Sequence, residues 1–206
     1  MRWTASDGAG TMDTARGRLG LCPAAWKGTQ VLQGELIRLR LVREADLDRL
    51  YDFHEDISNR GEFFPVGVSA RPAFQDQYQK SGFWEEMEGT LIIDGEGGSI
   101  LGHIEFFETV SYLDELELSY VLYSRDHAGR GIATEAVRLL SGYLFGRKKI
   151  NRIRLVIHPD NQASRRVAEK AGFTCEGVAR GAWYHRGRNH DVEVWSLLRA
   201  EHDAGR

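Results

Sequence analysis

Cysteine is nearly missing from this chain of 206 residues: Cys22 and Cys175 are the only two, and they lie far apart. A disulfide framework is excluded as a folding device, and free thiols in a reducing cytoplasm are the expectation. Long apolar runs are missing too. No stretch approaches the roughly 20 residues that a membrane-spanning helix needs, and the amino terminus has no basic start followed by an apolar segment. The chain is therefore expected to be cytoplasmic, with no membrane partner. Charge of one sign is equally scarce, 27 Lys and Arg standing against 30 Asp and Glu for a net charge of -3. No nucleic-acid partner is expected, because the compact basic group Arg147-Lys148-Lys149 is of the size that a solvated helix end carries. The histidines His54, His103, His127, His158, His185 and His190 lack the spacing of metal ligands, and no metal is expected.

What is present is a soluble-protein composition, 42% hydrophobic and 28% charged, on a length that favours one domain with one core. Residues 1–30 show neither helical nor strand periodicity and read as a loose extension, apart from Trp3 and Trp26, whose rings would dock on the domain or on a second subunit. Patterning begins at Gly34. Leu36 to Leu41 partly alternates like a strand, Glu44 to His54 repeats at helical spacing, and Pro72 to Glu86 reads as a second helix with proline in its first turn. Three strand-like runs follow at Leu91–Asp94, Ser99–Glu108 and Glu115–Tyr123, the first two joined through Gly95-Glu96-Gly97-Gly98. Then helix and strand alternate: a helix over Gly131–Phe145, a strand over Arg152–His158, a helix over Asn161–Ala171, and strands at Thr174–Trp183 and His190–Leu198. An antiparallel meander followed by crossovers implies an α/β (α+β) fold with a mixed sheet, the domain spanning 34–199 and a tail 200–206.

The segment Tyr120 to Ala136 passes from a strand through Ala128-Gly129-Arg130-Gly131 into a helix. Glycines let the backbone approach a ligand, and the N–H groups opening a helix point outward with the positive end of its dipole, so the turn suits a phosphate. The Walker pattern is absent, and a dinucleotide fingerprint would need glycine where Thr134 stands. An isolated Gly-x-Gly is otherwise only a tight turn. Further on, Ile153 to Ile157 leads into Asn161-Gln162-Ala163-Ser164, where Asn161 is also a plausible N-cap with Ser164 completing it.

Gly-Arg-Gly-Ile-Ala-Thr-Glu-Ala at 129–136, Asn161-x-x-Ser164 and Glu169-Lys170-Ala171-Gly172-Phe173 together resemble the GNAT (Gcn5-related N-acetyltransferase) superfamily, with most similarity to its RimJ/RimL-like branch. That resemblance covers about 34–199. It implies a largely antiparallel sheet with a parallel splayed pair, flanking helices, and acetyl-CoA as acyl donor. By the same resemblance the amides of Gly129, Arg130, Gly131, Ala133 and Thr134 hold the pyrophosphate. Asn161 meets the pantetheine arm, Ser164 lies near the thioester sulfur, and a backbone N–H of Val121 or Leu122 faces the thioester oxygen. The family pattern opens with Gln or Arg where this chain has Ala128, and a tyrosine general acid is replaced here by Ala168, which leaves Ser164 or a water to protonate the thiolate.

An ammonium group needs a base before it can attack, and Glu117 on the strand leading into the turn is the expected catalytic carboxylate, with Glu105 on the neighbouring strand in reserve. Arg165 or Arg166 sits where the ribose phosphate would lie, Arg166 being the expected contact. Cys175 is read as a packing residue. The acceptor should be bounded by 58–71 and 183–189, with Phe63, Phe64, Trp183 and Tyr184 as an aromatic rim and Glu62 attracting a cation. The expected reaction is acetyl transfer to a small amine or a peptide amino terminus by direct attack in a ternary complex, in a protein able to form a homodimer. A non-catalytic acyl-CoA sensor and an enzyme using a different acyl donor are the alternatives.

Overall fold

The computed structural model describes residues 31–56, 61–65, 67 and 69–205; the extension 1–30, with Trp3, Cys22 and Trp26, lies outside them. Eight strands form one sheet: β1 (Val31–Gln33), β2 (Arg38–Leu41), β3 (Glu88–Asp94), β4 (Ile100–Phe107), β5 (Glu115–Leu122), β6 (Arg152–Ile157), β7 (Thr174–His185) and β8 (Arg188–Leu198). Their spatial order is β1-β2-β3-β4-β5-β6-β8-β7. Every pairing is antiparallel except β5 with β6.

The one parallel pairing follows from the crossover through α3 (Ile132–Arg147), as a parallel neighbour requires a connection of at least a helix. Helix α3 buries Ile132, Ala136, Val137, Leu140 and Leu144 at the spacing of one helical face. They pack with Leu39, Ile93, Ile104, Leu116, Leu118, Ile153 and Trp195 into the main core. Helix α4 (Gln162–Ala171) adds Ala168, wholly buried in the same core. The opposite sheet face carries α1 (Leu47–Glu55) and α2 (Arg71–Ser81), whose Leu50, Tyr51 and Phe74 close on Val42 and Ile92. Strand β3 is covered on both sides, which is why Leu91-Ile92-Ile93 reads as a continuous apolar run and not as an alternation.

Four expectations are corrected. The sheet starts at β1, before Gly34, because three residues suffice to pair with β2 and are too few to show periodicity. The second helix stops at Ser81 and not Glu86, because Gly82 takes a left-handed conformation (φ 64) that ends it. Residues 199–204 are not a tail but α5 (Arg199–Ala204), whose Arg199 donates to the carbonyls of Phe145, Lys148 and Ile150 beyond and at the end of α3. Cys175 is exposed: β7 is the edge strand, and only its partner Trp195 on β8 reaches the core.

One buried ion cluster ties the first hairpin to α1. Arg40 donates to both oxygens of Asp46 (2.6 and 3.0 Å) and to Asp94 (2.8 Å), and all three residues are at most 6% exposed. Burial pushes the Asp46 carboxyl up, but the hydrogen bonds from Arg40 and the Arg43 backbone outweigh it and hold the group below its ordinary value. A depressed carboxylate contributes stability above its unfolded pKa and loses it as pH falls. Arg40→Met should therefore destabilise by about 3–5 kcal/mol at pH 7, since two buried carboxylates lose their cation. The gap from the native protein should narrow as pH falls through the depressed value of Asp46, where its carboxylate protonates in the native protein as well. Urea unfolding at pH 7 and across that acid range checks the two parts.

Candidate active site

Strands β5 and β6 pair over three positions only, Glu115 with Arg152, Leu116 with Ile153 and Glu117 with Arg154. Beyond them β5 stays with β4 and β6 stays with β8, so the two parallel strands part and leave a gap in the sheet. The direction of the backbone in the gap follows from the β4 ladder. Tyr123 N–H bonds Leu101 O at 2.9 Å, and peptide groups alternate along a strand, so the Val121 peptide also turns toward β4, that of Leu118 closes the last β6 pair at Glu117–Arg154, and those of Tyr120 and Leu122 face the gap. Of the two expected oxyanion donors, the Leu122 peptide faces the gap and the Val121 peptide faces β4. The approach on the β4 side is close: a Cβ on Gly102 would fall 2.0 Å from Val121 O.

At the mouth of the gap the chain makes a short 3-10 turn, Arg125–His127, capped by the Ser124 hydroxyl, and then the glycine turn. Gly129 (φ 75) and Gly131 (φ 84) both occupy the left-handed region that glycine adopts without a steric cost. Gly131 is the N-cap of α3 and supplies no side-chain cap. The first backbone bond of the helix is Glu135 N–H to Gly131 O, so the N–H groups of Ile132, Ala133 and Thr134 are left for a ligand. Ala133 and Thr134 are buried to 9% exposure, so they can contribute backbone only. Arg130 is exposed.

Helix α4 begins on the other side of the gap. Asn161 is its N-cap, the side-chain oxygen accepting from Ser164 N–H at 3.1 Å, which leaves its NH2 to donate. The capping bond uses the Ser164 backbone. The Ser164 hydroxyl instead meets the Tyr120 hydroxyl at 2.7 Å, joining α4 to β5 across the gap. Burial pushes the Tyr120 phenol up to about 12 against the opposing effect of Ser164. Tyr120 was not singled out in the sequence. Its signal was the alternation Leu116, Leu118, Tyr120, which places the ring on the helix-covered face. Arg165 pairs with Glu193 at 3.2 Å, and Arg166 is exposed.

The opposite face holds the carboxylates. Glu117 accepts from Arg154 at 2.8 Å, in a chain of ion pairs that continues through Glu115 and Arg152 to Glu176. Burial pushes its carboxyl up, with Arg154 acting against the rise. Glu105 lies opposite Ser119 in register and, among the described residues, forms no ion pair with a lysine or arginine. The buried ring of His103 lies beside it, with Nε2 3.5 Å from Oε1. Burial pushes Glu105 up to about 7, opposed by the Thr90 hydroxyl and helped by Glu88. Burial likewise drives His103 down to about 3, so the ring is neutral. Its Nδ1 lies 2.7 Å from the Tyr123 hydroxyl, and the two share a hydrogen bond. Phe64 packs beside this ring and Phe53.

Trp183 stacks on His185 (4.1 Å between ring centroids) and borders His158, which stacks on Phe63. His185 also faces the carbonyl of Glu62 at 2.9 Å, so Phe63 and Trp183 come together as a rim. Tyr184 does not join them. It is 71% exposed, because neighbours along a strand point to opposite faces. Among the described residues no group of three or more His, Cys, Asp or Glu is placed to hold a metal ion, and no helix is long and apolar enough to cross a membrane.

A GNAT acetyltransferase domain model matches residues 37–174. The chain belongs to the GNAT acetyltransferase family. The "Putative ribosomal N-acetyltransferase YdaF" of Bacillus subtilis is 29% identical over 175 residues, 81% of this chain and 93% of that protein. The spermidine N(1)-acetyltransferase of Escherichia coli is 21% identical, over 74% of this chain and 80% of its own. In fold, the spermidine N-acetyltransferase of Vibrio cholerae, solved with CoA and spermine, superposes with a TM-score of 0.70 at 18% identity, covering 81% of this chain and 98% of that one. This GNAT enzyme therefore shares with its neighbours the mixed sheet with one parallel pair.

A carboxyl held above its unfolded value binds a proton that the unfolded chain has already released, so its contribution to stability is lost as pH rises from about 4.3 through about 7. Glu105→Gln should accordingly be more stable than the native enzyme at pH 8 by roughly 1–3 kcal/mol, with the advantage gone near pH 4. Denaturant titrations at those two pH values test it.

Proposed function

We propose that this GNAT enzyme transfers the acetyl group of acetyl-CoA to a primary amine by direct attack, in a ternary complex built around the gap between β5 and β6. The observation that carries the reading is the convergence on that gap of an uncapped helix terminus, gap-facing backbone N–H groups and the Ser164–Tyr120 hydroxyl pair. The anionic diphosphate of the donor would lie on the amides of Gly129 to Thr134, where donors and dipole favour negative charge, and the NH2 of Asn161 would meet the amide groups of the pantetheine arm.

The amine nitrogen forms its bond to the thioester carbon while Leu122 N–H stabilises the carbonyl oxygen as it gains charge. The C–S bond then breaks, and the thiolate takes its proton from the Ser164 hydroxyl, which Tyr120 can replenish. The proton released by nitrogen goes to a carboxylate, and two are candidates. Glu117 is committed to Arg154, whereas Glu105 pairs with no lysine or arginine among the described residues and its proton affinity lies near neutrality, where a general base is most effective. Glu105 is the better base, backed by neutral His103 and Tyr123, and Glu117 the residue that closes the apex of the gap. Held side by side, the two substrates need no covalent enzyme intermediate.

For the acceptor, a cleft of about 690 Å³ beside Tyr123 is lined by Arg49, Asp52, Phe53, Glu55 and Asp56. Its acidic balance favours a cationic small amine, the class named in the spermidine acetyltransferase relatives. A peptide amino terminus, in keeping with the name of YdaF, is the second reading, supported by the aromatic rim of Phe63, Phe64 and Trp183.

Two measurements test the proposal. Calorimetry should show acetyl-CoA binding that Gly131→Asp abolishes while the fold persists; undiminished affinity in the folded variant would refute the cradle. Thiol release assayed with spermidine and with a peptide bearing a free amino terminus should fall by about 100-fold or more in Ser164→Ala and Glu105→Gln. The native rise in kcat/KM with a midpoint near pH 7 should vanish in Glu105→Gln. If Glu117→Gln removes that limb instead, the base is Glu117.

A further inference from the structure

The tip of the β1–β2 hairpin sits against the glycine turn, and one carboxylate holds it there. The loop is closed by Gly34 N–H to Ile37 O at 2.9 Å, and Ile37 is sunk into the core at 2% exposure. Glu135, in the first turn of α3, accepts the backbone N–H of Glu35 on one oxygen (2.6 Å) and that of Leu36 on the other (2.9 Å). The fit leaves no room for a side chain at Gly34, where a Cβ would come 2.6 Å from the carboxylate. Leu36 is left 55% exposed, with its Cδ1 3.3 Å from the place a Cβ on Gly131 would occupy.

A single exposed leucine ordinarily means nothing. This one is fixed by two hydrogen bonds and laid on the glycine that opens the helix carrying the ligand-facing amides. We propose that Leu36 is a wall of the acyl-donor site, covering the apolar portion of the donor next to its diphosphate, and that Glu135 is the positioning residue that sets the wall; this rests on the coenzyme A reading above. The arrangement also answers an electrostatic difficulty. A carboxylate in the first turn of a helix competes with an anionic ligand for the positive end of the dipole. With both oxygens engaged by the hairpin tip, the Glu135 charge is partly offset by two donors.

Glu135→Gln discriminates between a positional and a merely electrostatic role. Removing a negative charge should by itself tighten anion binding, whereas losing one of the two anchoring bonds should loosen the wall. The positional role predicts a KM for acetyl-CoA raised about three- to tenfold, with kcat at saturation retained. Leu36→Ser, a surface change that leaves the core intact, should weaken acetyl-CoA binding about three- to tenfold in calorimetry at unchanged Tm, and Leu36→Met should restore it. Adenosine 3′,5′-bisphosphate locates the contact: a defect seen with acetyl-CoA alone places Leu36 on the pantetheine arm, and one seen with both places it on the adenine. Wild-type affinity in folded Leu36→Ser, or a KM unchanged or lowered in Glu135→Gln, overturns the inference while leaving the coenzyme reading standing. A native protein that binds no acetyl-CoA overturns both.

Discussion

The early end of the β5–β6 ladder is the constraint on which the site depends. Three parallel pairs hold the strands together at Glu115 to Glu117, after which each strand keeps its antiparallel neighbour and abandons the other. Unsatisfied peptide groups inside a sheet are costly, and this sheet keeps Tyr120 and Leu122 turned toward a space that a ligand can fill. The hydroxyl bridge between Tyr120 and Ser164 spans that space on the helical face. A strand gap with donors on one wall, and a helix terminus at its mouth, accommodates a long molecule with polar amides, a carbonyl and a diphosphate.

The two faces of the gap differ in their electrostatics. On the helix-covered face, burial keeps Tyr120 protonated at any neutral pH. On the other, burial raises Glu105 and lowers His103, so that a carboxyl near neutrality stands beside an uncharged imidazole. Two groups pushed in opposite directions by the same desolvation are a common arrangement where protons move. Glu117 illustrates the contrast, since its position on the strand is as favourable but Arg154 holds it.

Around this site the fold is tied by charged groups that the mechanism does not use. Arg40 locks α1 to the first strands from inside the protein, Glu135 locks the hairpin tip to α3, and Arg199 gathers the carbonyls beyond α3. Arg40 reaches Asp94 on β3 and Glu135 reaches back about a hundred residues, so both join segments distant in sequence. Apolar packing under β3, β4 and β5 supplies the rigidity that such a site needs.

The amino-acid sequence by itself determined the order of elements, the mixed character of the sheet and the position of the glycine turn. These features are local: hydrophobic periods, the glycines at 129 and 131, and the Asn-x-x-Ser spacing at a helix start all act within a few residues. It also marked Asn161 as a cap, because capping is a contact between a residue and its near neighbours. What the tertiary structure decided was which partner each side chain meets. Only strand register shows that Leu122 and not Val121 faces the gap, that Glu117 meets Arg154, and that Tyr184 turns away from Trp183. The neutrality of His103 depends on burial against Phe53 and His54 of α1 and Phe64, and the Tyr120–Ser164 bond joins residues on two elements separated by a crossover. Glu135 lies some hundred residues from the peptide groups it holds. Such contacts leave no periodic trace in the sequence, because they arise from where the strands part.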